Sequence, residues 1–364
     1  MTPPYRVGVV GAGLKGTQHA RAYQLDPRTE VVAVAEKDPE VLELFRRRFG
    51  LERGYTDYRE MLANEPIDIA APILPSTVIP EVVMASVEAG VKGVFCEKPM
   101  CVTLEEADHM VEACESNGVH FASGDAERNY DALWNARAVI ESGEIGDVLS
   151  FRTYGGLGEV WGGGCQQLSV MRMFAWDAEV DWLTGWVEID PWQNNDQGMA
   201  GSIHFENGIN AYIYMRPGDA KGMEVRCEGG YLYYDWHQAR IFKHGASGDE
   251  ELIEYPASKH FGPDLDEDGW ISMATRQDNS TRSFLDTMEA GVEPRCSGAN
   301  MRKVLEIIVA MRESHRNGYA RVGFPIEDRS LGVLPTPARA FGQRSVEGRA
   351  DDWYWPALMS QKPE

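Results

Sequence analysis

Hydrophobic positions in the first third of the chain follow two alternating rhythms. Short apolar runs at 6–10, 31–35, 67–71, 93–96 and 119–122 have the length of strands buried on both faces. Between them, apolar residues recur at helical spacing over 14–25, 38–49, 57–63, 78–89 and 103–116. Punctuation residues agree with this division. Asp38-Pro39 pairs a capping side chain with a proline suited to the first helical turn, and Gly50 stops that helix. Asp57 and Glu60 open a short helix, Gly90 ends the next, and Thr103 with Glu106 forms a capping box before the Asn117-Gly118 stop. Strands and helices alternating this way predict a doubly wound parallel sheet.

From Ser123 the pattern changes. One helix is expected over 131–142, closed by Gly143; period-two runs then follow at 148–154, 182–188, 201–205, 209–215, 223–227, 231–235 and 240–243. These predict a mostly antiparallel sheet with one covered face, and Asn207-Gly208 reads as a hairpin turn. Helical spacing returns at 281–290 and 299–317, the latter closed by Gly318. The expected organisation is a parallel α/β unit over 1–123, an α+β unit over 124–330 and a tail over 331–364. That tail carries Pro335, Pro337, Trp353, Tyr354, Trp355 and Pro356, a density suited to docking on a neighbouring subunit or on its own domain.

The first strand enters Gly11-Ala12-Gly13-Leu14-Lys15-Gly16, a G-x-G-x-x-G array opening a helix. Gly11 permits a tight turn, Gly13 lets backbone approach a pyrophosphate, and Gly16 lets the helix lie close to the strand. The helix N-terminus offers unpaired N–H groups to the phosphates. Glu36 ends the second strand, twenty positions beyond Gly16, where its carboxylate would accept bonds from the adenosine ribose hydroxyls. A carboxylate there repels a 2′-phosphate, so NAD is favoured over NADP; the adjacent Lys37 softens that preference.

Composition narrows the setting. The 364 residues suffice for two domains, 43% are hydrophobic and 25% charged, and 35 Lys+Arg against 57 Asp+Glu give a formal charge of −22. Such an acidic balance disfavours nucleic acid and anionic membranes as partners. Cys96, Cys101, Cys114, Cys165, Cys227 and Cys296 form no C-x-x-C pair and suit free thiols in a reducing compartment. With no apolar run of spanning length and no signal-like start, the expectation is a cytoplasmic protein. No histidine pair has metal spacing and the run Asp264 to Gly269 lacks the rest of a calcium loop, so no metal is expected.

The strand at 93–96 runs into Glu97-Lys98-Pro99. With the glycine array, Glu36, Pro75 after the fourth strand, Ile140 to Gly146, Gly162-Gly163-Gly164 and 284–314, this tripeptide makes the chain resemble the Gfo/Idh/MocA oxidoreductases, the glucose–fructose oxidoreductase and inositol dehydrogenase group. The resemblance implies an NAD(P)-binding domain, a C-terminal domain whose open sheet covers the substrate and often builds a dimer or tetramer interface, and hydride transfer at a carbinol carbon of a sugar or cyclitol. It implies Lys98 at the reacting oxygen, where an ammonium stabilises a developing alkoxide or joins a proton relay. Glu97 and Pro75 are expected at the cofactor.

The chain departs from that family at one important place. Members carry an aspartate and a general-base histidine four residues apart after the glycine cluster, whereas 162–177 here contains no histidine and only Asp177 as an acid. Ile79 likewise stands where the family often has histidine. Three readings follow. In a dehydrogenase, Lys98 works with another group, Asp177 first, with Arg128, Asn129, Trp161, Gln166 and Arg172 as substrate contacts and Asp125 and Gln167 as further candidates. Alternatively NAD is recycled, oxidation acidifying a neighbouring C–H so that a glycosidic substituent is eliminated before the hydride returns. Trp161 and Trp176 would then stack on a pyranose, or simply belong to the core. The third reading is a non-catalytic NAD-binding protein. His19, His204, His237 and His260 are weaker candidates, the first two more readily read as packing residues.

Overall fold

The computed structural model describes residues 3–341 except 125, 157–158, 189–196, 217–219, 237 and 256–272. The candidates Asp125, His237 and His260, the acidic run at 264–269 and the tail aromatics from Trp353 to Pro356 lie outside the described residues.

Six parallel strands form the first sheet: β1 (Tyr5–Val10), β2 (Thr29–Ala35), β3 (Arg53–Tyr55), β4 (Ile69–Pro72), β5 (Gly93–Cys96) and β6 (His120–Ser123), in the order β3-β2-β1-β4-β5-β6. Val7, Val9, Val34, Ala70, Val94 and Phe95 are fully buried, as a sheet covered by helices on both faces requires. The crossover helices are α1 (Leu14–Leu25), α2 (Pro39–Phe49), α3 (Tyr58–Asn64), α4 (Ile79–Glu88) and α5 (Leu104–Ser116). Their ends follow local chemistry. Asp38 accepts from the Glu40 and Val41 N–H groups, Gly50 closes α2 in the left-handed region at φ 64°, and the Thr103/Glu106 capping box is complete. Strand order reverses between β1 and β4, which opens a crevice at their carboxyl ends.

The second sheet has nine strands in the order β14-β13-β12-β11-β7-β10-β9-β8-β15. They are β7 (Val148–Tyr154), β8 (Val180–Val187), β9 (Met199–Phe205), β10 (Asn210–Met215), β11 (Gly222–Cys227), β12 (Gly230–Tyr234), β13 (Ala239–His244), β14 (Glu250–Ile253) and β15 (Val322–Gly323). Only the β7–β10 pair is parallel, and the β9–β10 hairpin turns at Gly208 with φ 87°. The helices are α6 (Asp131–Glu141), α7 (Cys165–Phe174), α8 (Met273–Ala290), α9 (Gly298–Arg316) and α10 (Pro337–Phe341). One face of the sheet is covered by α7 and α9. Phe151, Leu183, Ile203, Val225, Leu232 and Ile241 point into it with Val304, Ile307, Ile308 and Met311 from α9. Each such side chain contributes about 1.5–3 kcal/mol by leaving water. α9 lies close because Gly185 has no side chain; a Cβ there would sit 2.1 Å from the Met311 sulfur.

Several elements differ from the sequence expectation. β3, β14 and β15 are too short or too polar to show a period, and α7 follows a glycine cluster that masks its spacing. α8 also starts eight residues earlier than the periodicity at 281 suggests. The opposite face of the large sheet is uncovered by any described element. Pairing aligns Leu252, Phe242, Tyr231, Arg226, Ser150, Asn210, His204 and Trp182 in one row across it. His204 is held there, stacked on Trp182 and bonded to Asn210 Oδ1 at 2.9 Å. No described helix is long and apolar enough to cross a membrane. The six cysteines are free and buried, and among the described residues no three His, Cys, Asp or Glu side chains gather as a metal site.

Candidate active site

β1 ends at the glycine array, and each glycine meets a different steric demand. Gly11 has φ 98°, and a Cβ there would lie 2.3 Å from the Ile73 carbonyl oxygen across the crevice. A Cβ on Gly16 would lie 1.9 Å from the Gly11 carbonyl oxygen, so α1 can sit on the turn only with glycine in place. Gly13 is the opposite case: its Cβ direction is open for at least 4 Å, and Gly13 itself is exposed. No side chain caps the α1 N-terminus, so its first N–H groups face the crevice beside the half-buried Leu14 and Lys15. Opposite them, Glu36 is fixed by its two oxygens. Oε2 accepts from the Ala12 N–H at 2.9 Å and Oε1 from the Asp38 N–H at 3.1 Å. A pyrophosphate at α1 and a ribose at Glu36 fit these residues, with the exposed Lys37 at the rim. Pro75 closes the far side: its carbonyl accepts from Val78 and Ile79 and starts α4. Ile79 is fully buried in that helix.

β5 delivers Glu97 and Lys98 to the same end of the sheet. Glu97 is buried, and burial alone would raise its pKa; His19 with Lys15 and Lys98 outweighs that and holds it down to about 2. His19 is itself fully buried, its ring edge-on to Phe95, with Nδ1 3.0 Å from Gln277 and Nε2 3.6 Å from Glu97. It therefore orients Glu97 and does not reach the phosphate position. Lys98 Nζ donates to the Gly162 carbonyl at 2.6 Å. Burial, then the nearby Arg339 guanidinium, lower the Lys98 pKa. Gly162 belongs to a single π-helical turn, Val160–Gly164, in which the Gly164 N–H donates back to Glu159. Bulk at Gly162 is excluded, because a Cβ would meet Glu159 and Arg339. Gln166 follows in the first turn of α7 and is buried.

The remaining sequence candidates are gathered elsewhere. Asp177 lies beyond the far end of α7, whose ten residues span about 15 Å from the Gly164 end. It accepts from Arg128 Nη2 at 2.6 Å, and Arg128, ahead of Arg172 and Arg137, overcomes the effect of burial and keeps its pKa low. Arg128 also donates to the Arg295 and Ser169 carbonyls. Arg172 donates to Asn300 Oδ1 and to the Asp177 and Ala178 carbonyls. Asn129 bonds Ser280 Oγ and Cys296 Sγ inside the core. These buried donors are already engaged, so the group ties the 127–129 turn to α7 and α9 and is not positioned as a partner of Lys98. Trp161 is fully buried and donates to the Cys101 carbonyl, which makes it a core residue and not a sugar platform. Gln167 is likewise buried, bonded to Thr153 Oγ1. Sequence reasoning missed Glu159 and Arg339, because neither belongs to a local motif.

Comparison with known proteins bears on the first sheet and on the fold. Residues 5–124 match the model of an oxidoreductase family with an NAD-binding Rossmann fold. The levoglucosan dehydrogenase of Pseudarthrobacter phenanthrenivorans is 34% identical over 155 residues, 40% of this chain and 39% of that protein. The myo-inositol 2-dehydrogenase of Thermotoga maritima is 29% identical over 144 residues, 39% of this chain and 42% of that one. The match thus spans about two fifths of these curated relatives. Over the whole architecture, a levoglucosan dehydrogenase solved with NADH and levoglucosan superposes with a TM-score of 0.75 at 20% identity, covering 89% of this chain and 100% of that one.

Proposed function

We propose that the protein, whose residues 5–124 match the Gfo/Idh/MocA oxidoreductase model, is an NAD-dependent dehydrogenase of a sugar, a cyclitol or a derivative. The observation that carries this reading is Lys98, held at the mouth of the nucleotide crevice with its Nζ 2.6 Å from the Gly162 carbonyl. The relatives named for levoglucosan and inositol favour a hydroxyl-bearing ring as substrate.

Bound NAD would accept the hydride, with its electron pair, from the carbinol carbon; the part left to the protein is to take up the hydroxyl proton as the C=O bond forms. Lys98 is the acceptor we assign to that proton. Its lowered pKa brings the neutral amine closer to neutral pH than in an ordinary lysine, and the ammonium returns the proton in the reverse direction. Gly11, Ala12, Gly13, Leu14, Lys15 and Gly16 would hold the pyrophosphate, Glu36 the adenosine ribose, and Pro75 and Glu97 would border the nicotinamide.

The test is nicotinamide absorbance with a panel of sugars, cyclitols and glycosides. Reduced cofactor should accumulate with NAD and much less with NADP, and Glu36→Ala should weaken NAD about tenfold and narrow that preference. Cleaved glycoside without reduced cofactor would instead favour the recycled-cofactor chemistry. No turnover of either kind, with NAD bound, would leave a binding protein.

We further propose that the uncovered sheet face pairs with a second copy of the chain. Tyr212 and Tyr214 are 53% and 43% exposed on it, and Arg226 stands beside Glu224, so the face carries both charge signs and can complement itself. Sedimentation equilibrium should give a dimer or tetramer, shifted to monomer by Tyr212→Glu. A monomeric wild type would refute this assembly.

A further inference from the structure

The end of the described chain returns to the crevice. Leu331 accepts from the Leu104 N–H, Gly332 bridges to Thr103 and the Val333 N–H donates to Val102, so the segment lies along the loop after β5. α10 then crosses the turn after β4, where the Ser76 N–H donates to the Arg339 carbonyl at 3.0 Å and the Thr77 N–H to the Ala340 carbonyl. The strap is thus fastened to the loops that follow β4 and β5.

This fastening sets the position of the Arg339 side chain. A Cβ on Gly162 would lie 2.7 Å from Arg339 Cδ and Nε, and the carbonyl of the same glycine accepts from Lys98. Two cations therefore flank one residue. Glu159 pairs with Arg339 Nε at 2.5 Å, and its other oxygen accepts from Thr336 Oγ1, so this carboxylate holds the guanidinium in place. Nη1 and Nη2 of Arg339 make no hydrogen bond to a described residue, and the side chain is 37% exposed. An oriented guanidinium with both terminal nitrogens available matches the planar, two-oxygen geometry of a carboxylate. Among the described residues, Glu159 pairs with Arg339 and Glu97 lies against Lys98 and Lys15, which leaves one cation in excess. That excess is unfavourable next to Lys98 until an anion arrives.

We propose that Arg339 is a substrate-recognition residue whose terminal nitrogens bind a carboxylate, so that the substrate is an acidic sugar or polyol. The carboxylate would lie on the same carbon skeleton as the carbinol presented to Lys98. This rests on the dehydrogenase reading above, and it distinguishes the protein's substrate from neutral rings.

The experiment compares aldonates and uronates with the corresponding neutral sugars, in the wild type, Arg339→Gln and Arg339→Lys, by nicotinamide absorbance. The expected result is a wild-type kcat/KM favouring the acid by about 10- to 100-fold. Arg339→Gln should bring that ratio close to one, mainly through KM, and Arg339→Lys should restore part of it. NADH affinity serves as the folding control. Turnover without an acid preference, or a preference unchanged in Arg339→Gln, would overturn the proposal and leave the dehydrogenase reading intact. If no substrate is turned over, the dehydrogenase reading fails on its own. The carboxylate site is then decided by titrating gluconate into the protein–NADH complex and following NADH fluorescence. Saturable quenching lost in Arg339→Gln supports the site, and its absence in the wild type refutes it.

Discussion

Lys98→Ala should lose about a thousandfold in kcat while binding NAD within about twofold of the wild type. A thousandfold corresponds to about 4 kcal/mol of transition-state stabilisation, the size expected when a proton acceptor and the local charge are removed together. Because the lost hydrogen bond from Nζ is to the buried Gly162 carbonyl, the unfolding midpoint is measured beside the kinetics to separate chemistry from folding. The pH profile separates the two contributions. With the Lys98 pKa lowered first by burial and then by Arg339, kcat/KM for oxidation should rise with pH and level off below the ordinary lysine range. Lys98→Arg keeps a cation that cannot give up its proton, so it should remain slow and lose that inflection. A Lys98→Ala enzyme within a few fold of wild-type turnover would remove Lys98 from the chemistry.

Arg128→Ala should behave in the opposite way, costing about 3–5 kcal/mol of stability while leaving the kinetic constants of the folded enzyme nearly unchanged. Arg128 donates to the Arg295 carbonyl, the Ser169 carbonyl and Asp177 Oδ2 from a buried position. Truncation strands these acceptors and leaves the Asp177 carboxylate without its main counter-charge. The sign of the pH effect follows from Asp177. Its folded pKa lies below the unfolded value, so it adds stability above the ordinary aspartate pKa, and that stability is lost as pH falls through the folded value. In Arg128→Ala this part of the acid sensitivity should shrink. Thermal and denaturant unfolding read the first effect, and steady-state kinetics at a temperature well below the transition read the second. A large rise in KM with an unchanged unfolding midpoint would instead make Arg128 a substrate ligand.

The two outcomes mark where sequence reasoning succeeds. The alternation of apolar runs and helices, the caps at Asp38 and Thr103, and the glycine array are local, and their physical requirements lie within a few residues of chain. The spacing of Glu36 from Gly16 is nearly local, because one strand and one helix connect them. For these features the parallel sheet and the cofactor crevice could be read directly. The glycine cluster at 162–164 was visible as well, but its π-helical turn was not, since one turn ending in three glycines is too short to carry a period.

Residue type alone left Asp177, Arg128, Arg172 and Asn129 open as site residues, because a charged or amide side chain after a glycine cluster suits either catalysis or a buried network. Tertiary structure decided among these by satisfying their hydrogen bonds in the core at the far end of α7. It also brought Arg339 to Gly162 and Lys98, and placed His19 behind Glu97. What the sequence determined by itself was the parallel-sheet half, the glycine array with Glu36 beside it, and the place of Lys98 just after β5. The surroundings of Lys98 depended on the chain folding back over hundreds of residues, because contacts between distant positions arise from packing and leave no periodic or spaced signal along the chain.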